Sequence, residues 1–195
     1  MAVRPRIALL ASHRGTSAEV VMEACASGRL AANVALVVTN NAGAEVLARA
    51  SRFGVASTVV GGAGMTEAER DAALLKALEA SGADWVLLLG YLRRLGPRVL
   101  ARYEGRLLNT HPSLLPAFGG AGMYGLRVQE AVLASGVAET GVTLHRVTAD
   151  YDAGGAVAQR VVAVLLGDTA ESLAARCLEA EHAMLRDELP RLLVR

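Results

Sequence analysis

Ile7-Ala8-Leu9-Leu10-Ala11-Ser12-His13-Arg14-Gly15 is a short apolar run stopped by a polar turn that ends in glycine. Helical spacing of apolar residues follows over residues 18–26. An apolar run this short, with no polar alternation, reads as a strand buried on both faces, and the helix after it makes half of a βαβ unit. The pattern then repeats. Val34-Ala35-Leu36-Val37-Val38 is a second buried run, closed by Thr39-Asn40-Asn41, with helical spacing over 44–53 and a third strand over 55–60. A helix over 66–81 leads into Trp85-Val86-Leu87-Leu88-Leu89, and a short helix over 97–103 leads into a strand that ends at Leu107-Leu108. Strands of this kind alternating with helices predict a parallel sheet covered on both faces.

The second part of the chain changes character. After a helix over 126–135, residues 141–147 and 156–165 read as an antiparallel pair joined by the bend Asp150-Tyr151-Asp152-Ala153-Gly154-Gly155. A helix over 169–193 closes the chain, and no repeat, low-complexity segment or linker interrupts it. The expectation is an α/β three-layer sandwich with a mostly parallel, Rossmann-like sheet and an antiparallel C-terminal strand pair, in a single domain over 1–195.

At 195 residues the chain is long enough for one core without staples. Hydrophobic residues make up 53% and aromatics only 4%, so that core is aliphatic. The net charge of +1 is interspersed rather than striped, which argues against a nucleic-acid partner, and no apolar run spans a bilayer. Cys25 and Cys177 sit in helical patterns with no secretory signal or disulfide framework, as in a reduced, cytoplasmic protein. No cluster has metal-ligand spacing, so no metal is expected, and the partners expected are small molecules. The composition fits a monomer or a homodimer.

In an open parallel sheet, ligands bind outside the carboxyl ends of the strands. The turn at Ser12-Ser17, the segment 89–94 and Asn109-Thr110-His111-Pro112-Ser113-Leu114-Leu115-Pro116 all follow strands and should face one rim. Asn109 and His111 are two residues apart, so their side chains leave the same face. With Asp152 they form a set suited to acyl transfer: an amide donor for an oxyanion, an imidazole that exchanges a proton, and a carboxylate that orients or deprotonates. The bland alternatives are a satisfied structural histidine and a turn-making aspartate; for Asp150 the turn is preferred. His145 alternates with Thr143 on the preceding strand and reads as structural support. Gly15-Thr16-Ser17 offers donors for a phosphate at a helix N-terminus, and Thr16 with Glu19 also reads as a capping box. In the last helix Glu181 projects into the face formed by Leu173, Ala174, Cys177, Met184 and Leu185. It either meets a buried basic or backbone group or holds an amine ligand. The segment Leu89-Gly90-Tyr91-Leu92-Arg93-Arg94-Leu95-Gly96-Pro97 reads as a floor for a flat heteroaromatic ligand or as a plain strand-to-helix connection.

The run from Leu107 to Pro116 resembles the signature of the folate-dependent formyltransferases. So do Gly141-Val142-Thr143-Leu144-His145 with Tyr151-Asp152-Ala153-Gly154, the glycine-rich Gly120-Ala121-Gly122-Met123-Tyr124-Gly125, and Glu181-His182. The resemblance covers nearly the whole chain. It implies a formyltransferase-like fold and transfer of a formyl group from the cosubstrate 10-formyltetrahydrofolate, without metal, to a primary amine. The length and motif order imply the glycinamide amine of a phosphoribosyl substrate of purine synthesis. Other folate-dependent formyltransferases, a formyltetrahydrofolate hydrolase and a non-catalytic folate- or nucleotide-binding module are the alternatives. Carried over by position, the resemblance implies that Asn109, His111 and Asp152 are catalytic and that Gly15, Thr16 and Ser17 hold the ribose phosphate. It places Glu181 near the substrate amine, and it puts Leu92, Arg93, Arg94 and Leu95, with Asn109 and Asp152, around the folate. The part up to about residue 105 would serve the substrate phosphate, and 106–195 catalysis and folate. His13 and Ser17 depart from the family's usual glycine and asparagine in the first loop, and Leu178 stands where a polar residue is common.

Overall fold

The computed structural model describes residues 4–62 and 64–193. Among these residues the strands form a seven-stranded sheet in the order β3-β2-β1-β4-β5-β6-β7. In chain order the elements are β1 (Arg6–Leu10), α1 (Thr16–Ala26), β2 (Asn33–Thr39), α2 (Val46–Arg52), β3 (Ser57–Val59), α3 (Glu67–Ala80) and β4 (Trp85–Leu88). There follow α4 (Pro97–Arg102), β5 (Leu107–His111), α5 (Leu126–Ser135), β6 (Glu139–Arg146), β7 (Ala156–Ala163) and α6 (Ala170–Leu192). Strands β1 to β5 pair in parallel, and β6 and β7 pair antiparallel, as the change in pattern implied.

Alternation along each strand sends its apolar residues into two cores. Ile7, Leu9, Leu87 and Leu108 pack with residues of α1, α2, α5 and α6. Ala8, Leu10, Val86, Leu88 and Leu107 pack with Leu74 and Leu78 of α3 and Val99 of α4. Sheet and two helical layers make the three-layer sandwich. The strand order reverses between β1 and β4, which opens a crevice at their carboxyl ends. One hydroxyl stitches that crevice together: Ser12 Oγ donates to Asn40 Oδ1 (2.6 Å) and accepts from the Leu92 amide (2.8 Å).

Several elements differ from expectation. The fifth strand continues through Asn109, Thr110 and His111, because β6 supplies a second ladder out to His111↔Thr143. The third strand is shorter, Ser57–Val59, since it is an edge that pairs only with the end of β2. Helix α2 starts at Val46, after a turn in which Asn41 Oδ1 accepts from Gly43 N (3.0 Å). Strand β7 stops at Ala163, before a turn in which Asp168 accepts from the Leu165 amide (2.8 Å).

The expected Thr16–Glu19 capping box is absent. The N-cap of α1 is Gly15, with φ 68° and no side-chain cap bond, and Glu19 instead pairs with Arg49 and Arg52. The turn is shaped from α2. Arg49 Nε donates to the Arg14 carbonyl (2.7 Å), and a Cβ on Gly15 would sit 2.3 Å from Val46 Cγ2, so only glycine fits.

Candidate active site

Strand β5 delivers its polar residues to the crevice by simple alternation. Asn109 and His111 leave one face and Thr110 the other. The turn after His111 is fixed by Thr143 of β6, whose hydroxyl donates to the Ser113 carbonyl (2.7 Å) and accepts from the Leu115 amide (3.0 Å). The loop between β6 and β7 then brings Asp152 over the strand end. Asp152 has φ 52°, a left-handed conformation, and its Oδ2 accepts from the Gly120 amide (2.9 Å).

The three side chains expected to act together do converge. His111 Nδ1 lies 3.5 Å from Asp152 Oδ2, and His145 Nε2 lies 3.6 Å from Asp152 Oδ1. Asn109 Nδ2 is 2.9 Å from His145 Nε2. Both histidines are buried.

The partners fix the tautomers. His145 Nδ1 faces the Arg146 carbonyl at 2.9 Å and must donate to it, so in the neutral ring Nε2 accepts from Asn109. Burial, with His111 nearby, pushes His145 below the ordinary histidine range, against the raising influence of the Arg146 carbonyl and Asp152. A neutral His145 thereby sets which way the Asn109 amide points. His111 Nε2 donates to the Phe118 carbonyl (2.9 Å), and Phe118 itself has φ 55°. A second proton on its Nδ1 faces the Asp152 carboxylate, so the charged ring has an acceptor on each side.

A pH dependence follows. His145, and likewise His182 (half-buried, beside Arg186), titrates lower in the folded chain than in the unfolded one. Their neutral forms contribute stability that is complete above the ordinary histidine range, near pH ~6.5, and is lost as pH falls towards the folded values. Urea unfolding at pH 7.5 and 5.5 is expected to show the loss, and His145→Gln is expected to shrink it. An equal pH dependence in the variant would remove His145 from this account.

On the other face, Thr110 Oγ1 donates to Glu181 Oε1 (2.9 Å), and the Ser17 hydroxyl bonds the same carboxylate. Glu181 is buried, and burial raises its pKa against the lowering influence of those two hydroxyls. The helical-face reading of Glu181 is therefore right, and what it meets inside the protein is hydroxyls rather than a basic or backbone group. Its neighbour Cys177 is a free thiol, pushed by burial up to about 11.

Asn109, Thr110, His111, His145, Asp152, Ser17 and Glu181 line one cleft of about 680 Å³. Gly15, Thr16 and Ser17 lie along it, as do Leu92, Arg93, Arg94, Leu95, Asn109, His111, Asp152 and Glu181, the residues expected to be catalytic or to bind substrate and cosubstrate. Leu178 lies on its wall, and the exposed His13 and Arg14 stand at its edge. Sequence reasoning assigned no role to Thr110, to Phe118 or to the backbone amide of Gly120. Thr110 carried a usable signal, its place between Asn109 and His111 on a strand, whereas the two backbone partners carried none. Among the described residues no His, Cys, Asp and Glu side chains gather into a group able to hold a metal ion.

Residues 5–189 match the formyl transferase family. The chain is 37% identical over 183 residues to the chloroplastic phosphoribosylglycinamide formyltransferase of Arabidopsis thaliana, covering 93% of this chain and 63% of that protein. It thus spans less than two thirds of that plant relative's length. To the phosphoribosylglycinamide formyltransferase of Escherichia coli K12 it is 34% identical over 179 residues, covering 91% of this chain and 82% of the relative. The crystal structure of glycinamide ribonucleotide transformylase 1 from Symbiobacterium toebii superposes with a TM-score of 0.91 at 38% identity, covering 97% of this chain and 88% of that one. With the motifs, the fold and the cleft in agreement with these matches, the chain belongs to the formyl transferase family.

Proposed function

We propose that this chain is a phosphoribosylglycinamide formyltransferase, which transfers the formyl group of 10-formyltetrahydrofolate to the amine of 5-phosphoribosylglycinamide in purine biosynthesis. The observation that carries the reading is the meeting of Asn109, His111 and Asp152 in the cleft that also holds Gly15–Ser17 and Glu181. The relatives named above favour the glycinamide substrate.

The cleft suits the cosubstrate. Its volume is within the usual range for small-molecule sites, and the buried Leu88, Leu89, Tyr91 and Leu95 give it an apolar floor for a flat heteroaromatic ring. Backbone groups of Leu92, Arg93, Arg94 and Leu95 would hold that ring. When bound, 10-formyltetrahydrofolate supplies an activated formyl carbon. Asn109, aligned by His145, leaves its second amide N–H for the oxygen of the transferred group. His111, whose Nε2 is taken by the Phe118 carbonyl, shares its Nδ1 proton between Asp152 and the same oxygen. Such donors are worth roughly 3–4 kcal/mol each where negative charge develops. Asp152, 3.5 Å from His111 Nδ1, receives the proton released by the attacking amine, and that proton passes to the folate nitrogen as its bond to the formyl carbon breaks. Gly15, Thr16 and Ser17 hold the substrate phosphate at the start of α1, and Glu181 meets the substrate amine.

The division of labour proposed is one formyltransferase domain, with the phosphate held by residues up to about 105 and folate and chemistry handled by 106–195. The setting proposed is the cytoplasm. Among the described residues no helix is long and apolar enough to cross a membrane.

The test is incubation with 5-phosphoribosylglycinamide and 10-formyltetrahydrofolate, followed by mass spectrometry. A gain of one formyl group on the ribonucleotide, dependent on both, is the expected result. Cofactor breakdown with water alone identifies a hydrolase, and binding without turnover identifies a binding module.

A further inference from the structure

The segment between β4 and α4 is pinned at both ends. The Leu92 amide donates to Ser12 Oγ, and the buried Asp71 of α3 accepts from the Arg98 and Val99 amides (2.9 and 3.2 Å) at the start of α4. Asp71 sits so close that a Cβ on Gly96 would lie 2.2 Å from its Cγ. Leu95 is buried while Arg94 is exposed, so the guanidinium projects from a fixed base.

The loop that carries Asp152 is built differently. Its ends are held by the Val147 amide on the Leu107 carbonyl and the Arg146 amide on the Gly155 carbonyl, each at 3.1 Å. Its crown, residues 148–151, is exposed, and the Thr148 hydroxyl bonds only within it, to the Asp150 carbonyl. Arg94 bridges to this crown twice. Its Nη2 donates to the Ala149 carbonyl (2.5 Å), and its guanidinium carbon lies 5.4 Å from the centre of the Tyr151 ring. The residue after Tyr151 is Asp152, which has a left-handed backbone and whose carboxylate accepts from the Gly120 amide, so its place depends on how the crown before it is held.

We propose that Arg94 is a positioning residue: its side chain ties the floor of the cofactor pocket to the Asp152 loop and so keeps the carboxylate over His111. The inference rests on the formyl-transfer reading above and assigns to the Arg94 side chain a task distinct from any backbone contact with the cofactor. It makes occupation of the pocket floor and placement of Asp152 one event.

Three variants test it in the full chain: Arg94→Leu, Tyr151→Leu and Tyr151→Phe. Arg94→Leu and Tyr151→Leu are expected to lower kcat about five- to tenfold, up to ~1.4 kcal/mol of barrier, with the KM of the amine substrate unchanged. Tyr151→Phe keeps the ring and is expected to stay within about twofold of the parent. The Arg94→Leu/Tyr151→Leu pair is expected to be no slower than the worse single variant. Hydrogen exchange without ligands is expected to speed up in residues 148–152 of Arg94→Leu and nowhere else. An unchanged kcat in Arg94→Leu, or a change confined to the KM of the formyl donor, overturns the proposal. If the parent chain transfers no formyl group, the functional reading fails by itself. Exchange then decides the tie, and unaltered exchange at 148–152 refutes it.

Discussion

Asp152→Asn is expected to cut kcat at least about a hundredfold while leaving the fold intact. The backbone at Asp152 is left-handed, a conformation that asparagine tolerates at least as well as aspartate, and the amide oxygen can still accept from the Gly120 amide. What disappears is the charge facing His111 Nδ1 at 3.5 Å and His145 Nε2 at 3.6 Å. In the proposed mechanism the proton from the attacking amine then has no acceptor. Steady-state kinetics combined with thermal unfolding reads both halves of the expectation. A turnover within threefold of the parent at unchanged Tm would remove Asp152 from the chemistry.

Glu181→Gln is expected to act in opposite directions on stability and on function. Burial holds the Glu181 pKa above the ordinary carboxylate range, so the folded chain binds its proton more tightly than the unfolded chain does. Whatever Glu181 contributes to stability is therefore present below the usual carboxylate pKa and is lost as pH rises through the folded value. A neutral glutamine can keep the hydroxyl bond from Thr110 without a buried charge. The variant is expected to gain about 2–4 °C in Tm near neutral pH, equivalent to roughly 1 kcal/mol for a chain of this size. The amine substrate loses its counter-charge, and its KM is expected to rise about tenfold or more with the KM of the formyl donor unchanged. A less stable variant with ordinary amine affinity would contradict both the burial argument and the proposed role.

The layered sheet was legible because its strands are apolar on both faces and its helices on one, a difference in period that survives without tertiary information. Legibility ended where long-range partners intervene. Asn109-Thr110-His111 reads as a turn, because polar residues at a sheet end lack the apolar mark of a strand, yet the ladder to β6 makes them one. Glu19 has the spacing of a capping residue, but Arg49, 30 positions away, takes it. The tie from Thr110 to Glu181 spans 71 positions, and the contact of His145 with Asn109 spans 36. No local pattern encodes either. The roles proposed for Asn109, His111 and Asp152 rest on residue chemistry visible in the sequence, whereas the backbone groups of Phe118 and Gly120 that meet His111 and Asp152 are not encoded by a side chain.

Because Thr110 leaves β5 on the opposite side from its two neighbours, the groups proposed to react and those proposed to recognise the acceptor stand on separate walls of a single rod. Ser17, Thr110 and Glu181 can be exchanged from the α1–α6 side while Asn109, His111 and Asp152 keep their spacing. An engineer seeking a new amine acceptor would therefore begin on that wall and leave the other untouched.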